Sequence, residues 1–149
     1  MKKILIFCSL SLFAFACSKP KNGNNPTLTV KSFNTDIVPQ NSTLLATLNF
    51  TQNAGGLDSV YVLRTRLNVR GPQYQKIPYG VPKFDGQGSG EISIYLDYNY
   101  GLTFNLSAIR VPGTGQNQPD TLQLKFVVKD VKGNFSDSTT AVKNVIVLR

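Results

Sequence analysis

Few residues in this chain have side chains suited to catalysis. There is no histidine among its 149 residues, and the two cysteines are Cys8 and Cys17. A serine or cysteine nucleophile needs a base within hydrogen-bond reach, and imidazole is unavailable here. Zinc lacks histidine, and the one cysteine expected in the mature chain, Cys17, stands at its amino terminus, apart from the folded domain. Paired carboxylates remain the one route to acid–base chemistry. Asp36, Asp58, Asp85, Asp130 and Asp137, however, all stand next to turn-forming residues, where a carboxylate ordinarily caps a backbone amide. Glu91 and Asp97 fall on the polar side of a strand pattern. The expectation is a protein without catalytic residues.

Two constellations suit binding instead. The turns Asn53–Ser59 and Asp130–Ser138 share an order of Asn or Asp, then Gly, then Asp-Ser. If they meet at one pole of a β-sandwich, Asp58, Asp130, Asn134 and Asp137 would supply the hard oxygen ligands calcium takes. Ordinary turn chemistry explains the same residues. Arg64, Arg66 and Arg70 recur at even spacing, and on the outer face of a strand they could grip carboxylate or sulfate groups. Tyr95 and the run Tyr98–Tyr100 would add stacking surface. Solvation of an exposed strand is the plainer reading of the arginines. Apart from a possible calcium, no cofactor is expected.

The elements that must position these residues read as strands, because period-two alternation bounded by turn residues dominates after residue 26. Thr27–Phe33 is a first strand. Leu44, Ala46, Leu48 and Phe50 line one face of a second. Ser59–Val69 is a third, with Tyr61, Leu63, Leu67 and Val69 expected inward and the arginines outward. The segment 71–90 carries Pro72, Pro78 and Pro82 and reads as an edge or loop. Ile92, Ile94 and Leu96 mark another strand, which Leu102, Phe104 and Leu106 continue after Gly101. Residues 111–119 form a loop. Leu122, Leu124, Phe126 and Val128 alternate most cleanly, and Thr140–Leu148 closes the chain. Seven or eight strands of this kind predict an all-β domain over residues 27–149, an antiparallel sandwich with a closed barrel as the rival. The expected core is Leu44, Leu48, Phe50, Leu63, Ile92, Ile94, Leu96, Phe104, Leu124 and Phe126.

The amino-terminal segment has a different character. Lys2 and Lys3 precede a mostly apolar stretch, Ile4–Ala16, shorter than the roughly 20 residues a membrane-spanning helix requires. A signal peptide over residues 1–16 fits it. Ala14-Phe15-Ala16-Cys17 resembles the lipobox of bacterial lipoproteins, with Phe15 a looser choice than usual. The resemblance implies that Cys17 is acylated after cleavage and anchors the chain in a lipid bilayer. Residues 17–26, rich in Asn, Pro, Gly and Lys, read as a flexible tether.

The segment from Asp120 through Phe126 and Lys129-Asp130 to Gly133-Asn134 and Asp137 resembles the penultimate strand and following turn of bacterial immunoglobulin-like domains. The whole is similar to single-domain immunoglobulin-like lipoproteins of Bacteroidota. There is no Cys…Trp…Cys set, so antibody-type domains are not implied. With a formal charge of +8, the chain favours anionic surfaces such as polysaccharide or lipid head groups. Its basic residues are scattered, and nucleic acid is not an expected partner. The expectation is a non-catalytic binding or structural module of the envelope, at the outer membrane, whose partner is a polysaccharide or another envelope protein. Two alternatives stand beside it: a fimbria-like subunit assembling by strand exchange, and a carboxylate-dependent hydrolase.

Overall fold

The computed structural model describes residues 25–52, 55–71, 73–82, 88–141 and 143–149. Cys17, the signal segment, most of the tether, Asn53, Ala54, Pro72 and Asp85 lie outside the described residues. No helix among them is long and apolar enough to cross a membrane.

Eleven strands form among the described residues, and the four longest come from segments where Leu, Val, Ile or Phe alternate with polar residues. β1 (Thr27–Phe33), β3 (Thr43–Gln52) and β6 (Gly88–Asp97) make a three-stranded antiparallel sheet in the order β1-β3-β6. The second sheet has the order β2-β11-β9-β4-β5. Its long members are β4 (Leu57–Arg66), β5 (Gln73–Gly80) and β9 (Asp120–Asp130). The short ones are β2 (Ile37–Val38) and β11 (Val145–Val147), paired in parallel, and β10 (Thr139–Thr140), which adds to β9. β7 (Ile109–Arg110) and β8 (Asn117–Gln118) form a separate small hairpin. The chain crosses between the two larger sheets after β1, β2, β3 and β5, and passes from β6 through the small hairpin to β9. The result is an all-β sandwich, antiparallel except for the short β2–β11 pair.

Its core is the meeting of two inner faces. Leu44, Ala46, Leu48, Ile92, Ile94 and Leu96 come from the smaller sheet; Val60, Val62, Leu122, Leu124, Phe126 and Val128 come from the larger. Phe126 packs against Phe33, ring centroids 6.2 Å apart. Full burial of such a side chain contributes roughly 1.5–3 kcal/mol. The count exceeds the expected seven or eight because β2, β7, β8 and β10 are two-residue pieces. Residues 71–90 do contain an edge strand, since β5 pairs only with β4 and tolerates Pro78 there.

Two core expectations are overturned. Leu63 is only partly buried, because β4 presents its even-numbered residues inward, and Phe104 is exposed. Phe104 belongs to no strand. After β6 the backbone turns through a single π-helical turn, Tyr98–Leu102, and enters a loop. Asp97 caps that turn, accepting from the amides of Asn99 (2.8 Å) and Tyr100 (3.1 Å).

The register also defines two poles. Thr27 pairs with Thr51, and Thr51 with Ser89, so the chain enters the domain at the pole of the β3–β4 connection. The turn after β9 lies there too, where the Val131 amide donates to the Gly56 carbonyl at 3.2 Å. The opposite pole holds the π-helical turn, the loop to β9 and the end of β11, where Val147 pairs with Asp120.

Candidate functional site

The site grows from the inward face of β4. Its second half brings Arg64 and Arg66 opposite Leu124 and Leu122. Both guanidinium side chains are buried, at 1% and 2% exposure. This corrects the outward placement expected for them. The reason is electrostatic: Asp120, fully buried, stands at the head of β9 in phase with Leu122, Leu124 and Phe126. Arg66 Nη2 donates to Asp120 Oδ1, and Arg149 Nε lies 3.2 Å from Asp120 Oδ2. A buried ion pair of this kind offsets desolvation only when its remaining donors are also satisfied.

Backbone satisfies Nη donors of all three arginines, while the Nε atoms of Arg64, Arg66 and Arg149 make no hydrogen bond. Arg66 Nη1 donates to the Ser107 carbonyl at 2.9 Å, and Arg149 Nη2 donates to that of Leu106. Arg64 Nη1 reaches the Gly101 carbonyl (3.2 Å), while its Nη2 reaches the Phe104 carbonyl and Gln75 Oε1, both at 2.6 Å. Residues 101–107 belong to no sheet, so the carbonyls of Gly101, Phe104, Leu106 and Ser107 take these donors in place of a neighbouring strand. Three guanidinium groups thus hold one loop against the sandwich.

The charges do not balance. Arg66 and Arg149 share Asp120, but among the described residues no carboxylate comes within ion-pair distance of Arg64. Burial pushes the pKa of Arg64 below its ordinary value, with Asp120 and Tyr79 opposing and Arg149 and Arg66 reinforcing. An arginine nevertheless stays charged near neutrality. Tyr79, nearby on β5, moves upward through burial, with Arg64 opposing.

Arg64 also lines a cleft of about 540 Å³ at the β5 edge, together with Gln73, Tyr74, Gln75, Lys76, Asn105 and Leu106. The Tyr74 ring is 75% exposed. Lys76 bends its ammonium over the Tyr61 ring, 4.1 Å from the centroid. Among the described residues the wall holds two cations, three amides and an aromatic ring, and no carboxylate. Such a wall can hydrogen-bond hydroxyls, stack on a ring and neutralise an anion.

The other expected site residues are dispersed. Arg70 is exposed in the β4–β5 connection, and Tyr95 is exposed on the outer face of the smaller sheet. Tyr98 is buried, its hydroxyl donating to the Leu148 carbonyl at 2.9 Å. No patch of Arg64, Arg66, Arg70 and Tyr95 forms. The calcium set fares differently, since its two turns do share a pole. Asp130 Oδ1, however, accepts from the amides of Lys132 (3.0 Å) and Asn134 (2.7 Å), and its Oδ2 accepts from Asn134 Nδ2 (2.9 Å). Asp58 faces Lys129 at 3.5 Å, and Asp137 is exposed. Among the described residues no group of three or more His, Cys, Asp or Glu is placed to hold a metal ion.

Asp120, Arg149, Gln75 and Tyr74 escaped the sequence reading. For Asp120 the signal was present, because it sits in phase with the apolar positions of its strand.

No family model matches the chain, and no curated protein matches it. Solved structures show distant likeness. Spo0M, a sporulation control protein from Bacillus subtilis, aligns with a TM-score of 0.49 and 9% identity over 84% of this chain and 50% of that one. A Niemann-Pick type C2 protein from Japanese carpenter ant gives 0.41 and 8%, over 83% and 94%. A β-glucosidase from Listeria innocua gives 0.41 and 11%, over 84% and 16%. The chain spans about half the length of the sporulation protein.

Proposed function

We propose that this chain is a non-catalytic recognition module of the bacterial envelope, held at the outer membrane by an acylated Cys17, whose β5-edge cleft binds an acidic saccharide. One observation carries the ligand class: Arg64, a buried cation that forms no ion pair among the described residues, lines a cleft whose other walls are amides, Leu106, Lys76 and the exposed ring of Tyr74. A uronic acid residue would supply the missing anion, its ring a partner for Tyr74, and its hydroxyls partners for Gln73 and Asn105. The rigid sandwich pre-organises β5, and the arginine staples pre-organise the loop beside it. The carboxylate of Asp130 serves its own turn. Millimolar calcium therefore leaves the melting temperature unchanged. Assembly by strand exchange would have to release β11 from both β2 and β9.

Calorimetric titration with a uronic-acid oligosaccharide tests the cleft. Loss of a stacking ring costs on the order of 0.5–1.5 kcal/mol, so Tyr74→Ala weakens binding by about 2- to 12-fold while the melting temperature holds. Absence of heat with the wild type refutes the ligand class, and leaves an envelope protein as the partner to seek by pull-down.

A further inference from the structure

The two outer faces of the sandwich differ in charge. Outward positions of the smaller sheet are mostly neutral, as at Thr29, Asn49 and Ser93, and its Lys31 pairs with Glu91. The larger sheet turns Lys125 and Lys129 of β9 outward, opposite Leu63 and Ser59 of β4. The turn after β9 adds Lys132. Strands β4, β5 and β9 carry one exposed carboxylate, Asp58, beside Lys129. Apolar groups accompany these lysines: Val131 is 55% exposed and Phe135 43%, the latter ring 5.9 Å from that of Tyr61. The turn is rigid, since the Asp130 carboxylate caps it and the Val131 amide is bonded to Gly56.

In this corner, Lys129 and the turn from Val131 to Phe135 occupy the pole where Thr27 enters the domain, with Lys125 behind them at mid-strand. The stretch from Cys17 to Thr27 reaches about 35 Å when fully extended, so an anchor at Cys17 keeps the corner within reach of the bilayer. We infer that the corner formed by Lys125, Lys129, Val131, Lys132 and Phe135 docks on anionic lipid. The lysines lie against headgroup phosphates, and Val131 and Phe135 sit at headgroup depth. Docking rests on the anchored reading only for its orientation. The Gln73–Gln75 part of the cleft lies toward the opposite pole, while the Lys76 ammonium comes within 5.6 Å of the Phe135 ring centroid.

The test uses the acylated protein reconstituted on vesicles of phosphatidylcholine alone or mixed with phosphatidylglycerol, exposed to an amine-reactive label. Each lysine near an anionic surface gains about 1 kcal/mol, roughly a fivefold factor. Labelling of Lys125, Lys129 and Lys132 accordingly falls about fivefold on the anionic vesicles, whereas Lys31 and Lys143 label equally on both. Equal labelling of all five lysines on the two membranes overturns docking. So does protection on both membranes alike, which signals a protein contact. Sedimentation with the neutral vesicles reads the anchor separately. Should that fail, docking is read from binding of the unanchored protein to the anionic vesicles. The variant with all three corner lysines changed to Gln then binds about a hundredfold more weakly. Equal binding of the two proteins, with their melting temperatures matched, overturns the proposal.

Discussion

Arg66 and Asp120, 54 residues apart in sequence, meet as an ion pair with 2% and 0% of their side chains exposed. Asp120 is also the carboxylate nearest Arg149, so two buried guanidinium groups depend on it. Removing it strands both. Asp120→Ala is expected to lower unfolding free energy by about 3–5 kcal/mol, the range for breaking a buried pair from one side. Urea denaturation measures it. A loss below about 1 kcal/mol would mean that water reaches the arginines.

Two phenylalanines make a second contrast. Phe126 is fully buried between the sheets, and Phe104 lies exposed in the loop after β6. Phe126→Ala should cost about 3–5 kcal/mol and Phe104→Ala less than about 1. Equal losses in denaturation would restore the expectation that both are core.

Tyr79 makes stability sensitive to alkali. Burial raises its pKa in the folded protein, so the native state keeps a proton that the unfolded chain releases near pH 10. The unfolded state then binds fewer protons, and stability falls as pH rises through and above that region. Below it the contribution is fully present. Melting temperatures between pH 8 and 11 should decline more steeply for the wild type than for Tyr79→Phe, and identical slopes would contradict the assignment.

The anchor is read by partitioning. Expressed in a bacterium, the wild-type protein should enter a detergent phase, and Cys17→Ser should remain in the aqueous one. Several acyl methylenes at about 0.8 kcal/mol each make the difference large. The same distribution for both would remove Cys17 as the attachment point.

What was legible in the sequence follows from how many forces act on each residue. β3, β6 and β9 could be read because apolar alternation alone sets their faces. β4 could not. Its odd positions Tyr61 and Leu63 are as apolar as Val60 and Val62, and the tie is broken by Asp120 and by loop carbonyls far away in sequence. Hydropathy sends an arginine outward, whereas a buried carboxylate and unpaired carbonyls draw it in. The segment from Tyr98 to Leu106 misled for a related reason. Leu102 and Leu106 are buried as strand residues would be, yet the backbone there is held by side chains rather than by a neighbouring strand. The Asp130 turn was foreseen in both of its readings, and its own amides took the ligands.

The central claim is that Arg64 and its cleft select an acidic sugar. The most direct measurement is titration of the wild-type protein with two oligosaccharides of equal length and linkage, one of uronic acids and one of the corresponding neutral sugars. A charge-assisted bond to arginine is worth about 1.5–3 kcal/mol, so the acidic chain should bind about 10- to 150-fold more tightly, with a preference that shrinks as salt is raised. Equal affinity for the two chains, or binding of neither, would contradict the account.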